Sequence, residues 1–92
     1  MKYYVYILQT ISDTLYCGIT PDIIKRYKAH IEGKGAKYTK AHKPKSIVYL
    51  DILDNKSLAL KEEYRIKHLL KKEKLELIEE NKIKTKEILD SI

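Results

Sequence analysis

The sequence predicts an α/β domain of the α+β kind, one small sheet with helices around it. Three observations predict it. Two short apolar, tyrosine-rich runs stand close together near the start, with a polar turn between them. A third apolar run follows at mid-chain, and stretches of helical period follow the second and third runs. The chain has 92 residues, one domain's worth, and a chain of that size buries a modest core.

The elements follow in order. Tyr3 to Leu8 has no polar alternation, which predicts a strand covered on both faces and central in its sheet. Leu15 to Ile19 is the second strand, and Gln9 to Thr14 closes a hairpin. Tyr6 and Tyr16 lie symmetrically about residue 11, so a symmetric hairpin sets them opposite each other on one face. Thr20 then reads as an N-cap, Pro21 as the first helical residue, and Asp22 as a charge favourable to the helix start. Ile23, Ile24, Tyr27 and Ile31 share a face of this helix. Arg26 and His30, four apart, stack on its flank, and Lys25, Lys28, Ala29 and Glu32 face outward. Gly33 and Gly35 end it.

Gly33 to Pro44 is a basic connector, too polar for core, with room for a short helical turn. Ile47 to Leu53 is the third strand. Asn55 or Ser57 caps a long helix from Lys56 to Lys72, with Leu58, Ala59, Ile66, Leu69 and Leu70 on one arc. Glu62 and Glu63 fall within or at the edge of that arc, an odd place for carboxylates. Leu75, Leu77 and Ile78 continue the helical pattern, and Thr85 to Ile92 reads as a last short helix or a tail. Residues 1–80 are expected to form the domain, with 81–92 as its helical extension or tail.

Composition narrows the class. Tyrosine supplies all eight aromatics, and each buried hydroxyl needs a partner. The single cysteine, Cys17, excludes an internal disulfide and reads as a small packed hydrophobe. No apolar run reaches the length of a membrane span, and the start lacks a secretion-signal layout, so a cytoplasmic protein is expected. The formal net charge of +6 is unevenly placed. Met1 to Ser46 holds nine Lys and Arg against three acids, while Ile47 to Ile92 holds ten of each. From Lys25 to Lys45 eight basic residues face the single Glu32. Clustered charge of that sign suits a polyanion, and nucleic acid is the commonest. The three histidines, His30, His42 and His68, lack zinc-site spacing.

Val5-Tyr6 and, ten residues on, Tyr16-Cys17-Gly18 resemble the GIY-YIG nuclease signature. The run from Asp22 to His30 is similar to that family's Arg- and His-bearing helix. Ala59 to Lys67 is similar to its later helix, which carries a metal-binding Glu, and Gly33 to Thr39 looks typical of its small stand-alone bacterial members. Four blocks in order, over residues 3 to about 78, make the resemblance fairly specific. It implies a three-stranded antiparallel sheet flanked by helices and divalent-cation-dependent phosphodiester cleavage.

Carried over, Tyr6, Tyr16, Arg26 and His30 are the catalytic candidates, and Glu63 is the metal candidate, for Mg2+ or Mn2+. Periodicity does not choose Glu63 over Glu62; only the family pattern does. Arg26 would offset transition-state charge, and a tyrosine hydroxyl or His30 would orient a water and take its proton. Which group is the base stays open at this point. The expected nucleic-acid contacts are Lys25, Lys34, Lys37, Tyr38, Lys40 and Lys43, with DNA ahead of RNA and low sequence specificity, since no separate DNA-reading domain is present. Tyr4, Val5 and Cys17 depart from the signature at structural positions, where Val and Cys are small apolar replacements. Some members also use an Asn after the metal Glu, for which Asn81 is the only downstream candidate. The alternatives are a nucleic-acid-binding protein without catalysis and a nuclease subunit that needs a protein partner. A monomer or a small homo-oligomer is expected.

Overall fold

The computed structural model describes residues 1–92. Strands β1 (Tyr3–Thr10), β2 (Leu15–Thr20) and β3 (Pro44–Leu53) form one antiparallel sheet in the order β2-β1-β3. The apolar run Tyr3 to Leu8 is therefore central, as its lack of alternation requires. Five helices surround the sheet: α1 (Ile23–Ile31), α2 (Lys37–Ala41), α3 (Lys56–Lys67), α4 (Lys71–Glu80) and α5 (Lys82–Asp90).

The hairpin centres one residue later than symmetry about residue 11 predicts. Tyr6 pairs with Gly18, and Leu8 pairs with Tyr16. Thr10 sets this register: its Oγ1 accepts from the Ser12 and Thr14 amides, and Asp13 takes a φ of 64 to close the turn. The tyrosines are thus diagonal rather than opposite, though still on one face.

Helix α1 starts two residues after the expected cap. Thr20 is still paired with Tyr4 in the sheet, so Asp22 is the N-cap and accepts from the Lys25 amide at 3.1 Å. The buried face also differs from the one read off the apolar residues. Ile23 and His30 are buried, whereas Ile24 and Ile31 are about half exposed. Positions 23, 27 and 30 point at the sheet, and that stripe carries the histidine inward.

The long helix expected from Lys56 to Lys72 breaks at His68. Asn55 caps α3 through the Leu58 amide at 2.9 Å, and the His68 amide turns back onto Tyr64 and Arg65. Leu70 is extended, and the Glu73 carboxylate accepts its amide at 2.8 Å to start α4. The apolar arc narrows accordingly: Ala59 and Ile66 are buried, while Leu58 and Leu70 face solvent. The last segment is a helix from Lys82 rather than a tail. Thr85 Oγ1 accepts from the Leu50 amide of β3 at 3.2 Å, so α5 lies over that outer strand.

Two packed faces result. Behind the sheet, Val5, Ile7, Cys17 and Tyr49 meet Ala59 and Ile66 of α3. In front, Tyr6, Leu8 and Leu50 meet Ile23 of α1, with Ile88 and Leu89 of α5 alongside. Each fully buried Ile or Leu contributes roughly 1.5–3 kcal/mol, so both faces hold the sheet.

A candidate active site on the front face

The front core is not wholly apolar. His30 is fully buried, and so is Thr39, from the connector whose polarity argued against core. Gly33, with a φ of 75, turns the chain after α1, and Gly35 brings it against the imidazole. A Cβ on Gly35 would sit 2.5 Å from His30 Nδ1. That close approach lets α2 place the Thr39 hydroxyl 2.7 Å from the same nitrogen. On the other side, His30 Nε2 lies 2.8 Å from the Tyr6 hydroxyl. Gly18 makes room for Tyr6, since a Cβ there would meet its hydroxyl at 2.5 Å and its ring at 2.7 Å. The glycine that ends the Tyr16-Cys17-Gly18 triplet is thus required by the tyrosine opposite it.

Arg26, one turn before His30, stands beside the Tyr6 and Tyr16 hydroxyls, and its charge acts on Tyr6. Tyr16 is half-exposed, its ring edge-on to His30 at 5.3 Å and 6.4 Å from Tyr6. Tyr38 stacks on Tyr16 at 5.9 Å, and His42 on Tyr38 at 4.6 Å. An aromatic row therefore runs from the buried Tyr6 out to the surface.

Electrostatics follow from this burial. Burial first, and the Arg26 charge second, pull His30 down to about 4, so the ring is neutral at pH 7. Burial pushes Tyr6 up to about 12, although Arg26 works against it. Tyr6 therefore keeps its proton. Lys25, Lys34, Lys37, Lys40 and Lys43 are all exposed, and none forms an ion pair. Tyr38 shares their surface at 37% exposure.

The profile of the GIY-YIG catalytic domain matches residues 2–76. This chain belongs to the GIY-YIG family. The chain is similar to a UPF0213 protein of Staphylococcus saprophyticus, 47% identical over 79 residues, which cover 86% of this chain and 96% of that one. It is similar to a UPF0213 protein of Syntrophus aciditrophicus, 48% identical over 81 residues, covering 87% and 93%. The solution NMR structure of a UPF0213 protein from Bacillus halodurans matches with a TM-score of 0.60 and 38% identity, over 89% of this chain and 87% of that one.

Within this GIY-YIG chain, the structure brings Tyr6, Tyr16, Arg26 and His30 together, and Glu63 comes from a different element. Glu63 lies on α3, the helix packed behind the sheet, and its carboxylate pairs with Lys67 at 3.2 Å. Its charge helps raise the buried thiol of Cys17, itself pushed to about 12 chiefly by burial, which sets Glu63 beside β2. Glu62 is instead held by Arg65. No three His, Cys, Asp or Glu side chains gather as a metal cage. The donor chemistry still fits magnesium, which takes one carboxylate and completes its shell with water and substrate phosphate. The Asn81 side-chain nitrogen donates to the Leu77 carbonyl at the joint of α4 and α5.

Sequence reasoning missed Thr39 and the depth of His30. A threonine between lysines carries no periodic signal, and its burial depends on two glycines folding the connector back. The block Gly33 to Thr39 was the only pointer to it. No helix of the chain is long and apolar enough to cross a membrane.

Proposed function

We propose that this GIY-YIG chain is a divalent-metal-dependent endonuclease that hydrolyses phosphodiester bonds in DNA with low sequence specificity. One observation carries the reading: the Arg26 guanidinium stands beside the buried Tyr6 and the half-exposed Tyr16, next to a run of unpaired lysines. A planar guanidinium suits a phosphate whose negative charge grows in the transition state.

Exposure divides the labour between the tyrosines. Tyr6 is 1% exposed and its hydroxyl is spent on His30. Tyr16 is open to solvent on one side, so it is the tyrosine that, after passing its own hydroxyl proton to solvent, orients the attacking water and takes its proton. Glu63 holds the cation, Mg2+ or Mn2+. When bound there, the cation supplies Lewis-acid polarisation of the phosphate and of the leaving oxygen. Lys25, Lys34, Lys37, Lys40 and Lys43 hold the backbone, and Tyr38 offers a ring to a base. Phosphate contacts and stacking carry little sequence information, hence the low specificity.

The test is cleavage of plasmid, single-stranded, branched DNA and RNA, with magnesium or chelator, by the wild type and Glu63→Ala. Magnesium-dependent product from the wild type, none from Glu63→Ala, and equal DNA binding by both are expected. Salt-sensitive binding without product on any substrate would replace the enzyme by a binding protein or a subunit awaiting its partner. Full cutting by Glu63→Ala would move the metal anchor to another carboxylate.

A further inference from the structure

We propose that Thr39 is a positioning residue whose hydroxyl fixes the direction of a buried hydrogen-bond chain that ends at Tyr6, beside Arg26. The inference deepens the nuclease reading and rests on it for its catalytic consequence.

The chain has three links, and each group's donors and acceptors decide the next. The Ala36 carbonyl can only accept, so the Thr39 hydroxyl, 3.1 Å away, spends its one proton there. Thr39 Oγ1 is then an acceptor toward His30, and Nδ1, 2.7 Å away, must carry the hydrogen. A neutral imidazole with its hydrogen on Nδ1 has a bare Nε2. The Tyr6 hydroxyl, 2.8 Å from it, therefore donates to Nε2. With its proton turned to the histidine, Tyr6 leaves its lone pairs on the side of Arg26, which can only donate.

The reverse direction is disfavoured. Thr39 would have to give its proton to His30 and leave the Ala36 carbonyl to the Lys40 amide alone. Nε2 would then donate to Tyr6 and turn the hydroxyl hydrogen away from the ring, on the side where Arg26 stands as a donor. A buried donor facing a donor is costly, so one polarity prevails. A protonated His30 breaks the chain in the same way, by donating from Nε2. The groups facing the ring are Tyr6 from β1, Tyr16 from β2, Thr39 from α2 and Arg26 from its own helix, and none is acidic. Nothing there favours the imidazolium, in keeping with its lowered pKa.

The direction is directly readable. Long-range proton–nitrogen NMR spectra of the 15N-labelled protein at pH 7, with His30 assigned by its loss in His30→Gln, should show hydrogen on Nδ1 and a bare Nε2. Thr39→Val keeps the side-chain shape but removes the acceptor, so the Nδ1–H pattern should disappear, and Thr39→Ser should restore it. In the cleavage assay, kcat should fall about tenfold or more in Thr39→Val, as expected when a charge-stabilising group is misplaced, with DNA affinity changed less than twofold. Thr39→Ser should recover most of that loss. Hydrogen on Nε2 in the wild type overturns the proposal without any variant, and so does an unaltered tautomer in a folded Thr39→Val protein. A wild type that cuts nothing overturns the nuclease reading instead, and the spectra alone then judge the chain's direction.

Discussion

Two buried tyrosines on opposite faces of one sheet show what separates a site from a core. Tyr6 and Tyr49 are 1% and 3% exposed, and burial pushes both to about 12. Tyr49 sits behind the sheet among Val5, Ile7 and Ile66, and its hydroxyl has no protein partner; its oxygen reaches water. Tyr6 sits in front, and its hydroxyl is taken by His30, with Arg26 beside it. Burial alone is therefore uninformative about function here. The polar company distinguishes the two, and strand alternation supplies it, since even positions of β1 face α1 and odd ones face α3.

The sharpest way to break this comparison is to remove each hydroxyl in turn. Tyr6→Phe leaves His30 Nε2 without a donor and removes the hydroxyl that stands beside Arg26. Cleavage should fall about 100-fold, in the range seen when one charge-stabilising group is lost. Tyr49→Phe should leave cleavage unchanged and alter stability by under about 1 kcal/mol, because no internal bond is lost. Equal losses of activity in the two variants would mean that both act only through folding.

A change of pH separates the faces next. The folded protein holds His30 near 4, while the unfolded chain protonates it near 6.5. Between those values the unfolded state binds more protons. The stabilisation is complete above pH 6.5 and is lost as pH falls toward 4. From pH 7 to pH 5 the wild type should lose about 2 kcal/mol from this source, and urea unfolding of His30→Gln should lack that slope. Behind the sheet, the buried Cys17 and Tyr49 both titrate near 12 and add nothing in this window. Parallel pH profiles for wild type and His30→Gln would show that His30 titrates normally.

Much of the back face was legible in the sequence, and much of the front was not. Tyr3 to Leu8 declared a central strand by its unbroken apolar run, and Ala59 with Ile66 declared the packed stripe of α3. Both depend on local periodicity. The front face depends on close approach. Gly18 beneath Tyr6 and Gly35 against His30 are contacts between one element and the next, and no periodic pattern encodes them. The apolar residues of α1 even misled, because Ile24 and Ile31 look buried in a helical wheel while His30 does not. The signature residues could be matched in order, but the hydrogen bonds among them required Thr39, folded in from the connector. The hairpin register depended on where Thr10 closed its turn, one residue from the symmetric choice.

The smallest expected effect tests how far the front face extends. Lys37 opens α2, two residues before Thr39, so it tests whether the element that builds the buried chain also meets the substrate. It is exposed and forms no ion pair, so Lys37→Ala should cost no measurable stability. If it touches one phosphate, DNA binding should weaken only a fewfold at moderate salt, and the slope of log affinity against log salt should flatten by about 1. Lys61, exposed on α3 behind the sheet, is the matching control, and Lys61→Ala should change neither quantity. An unaltered slope in Lys37→Ala would confine the substrate surface to α1. A flattened slope in both variants would extend it around the sheet to the helix that bears Glu63.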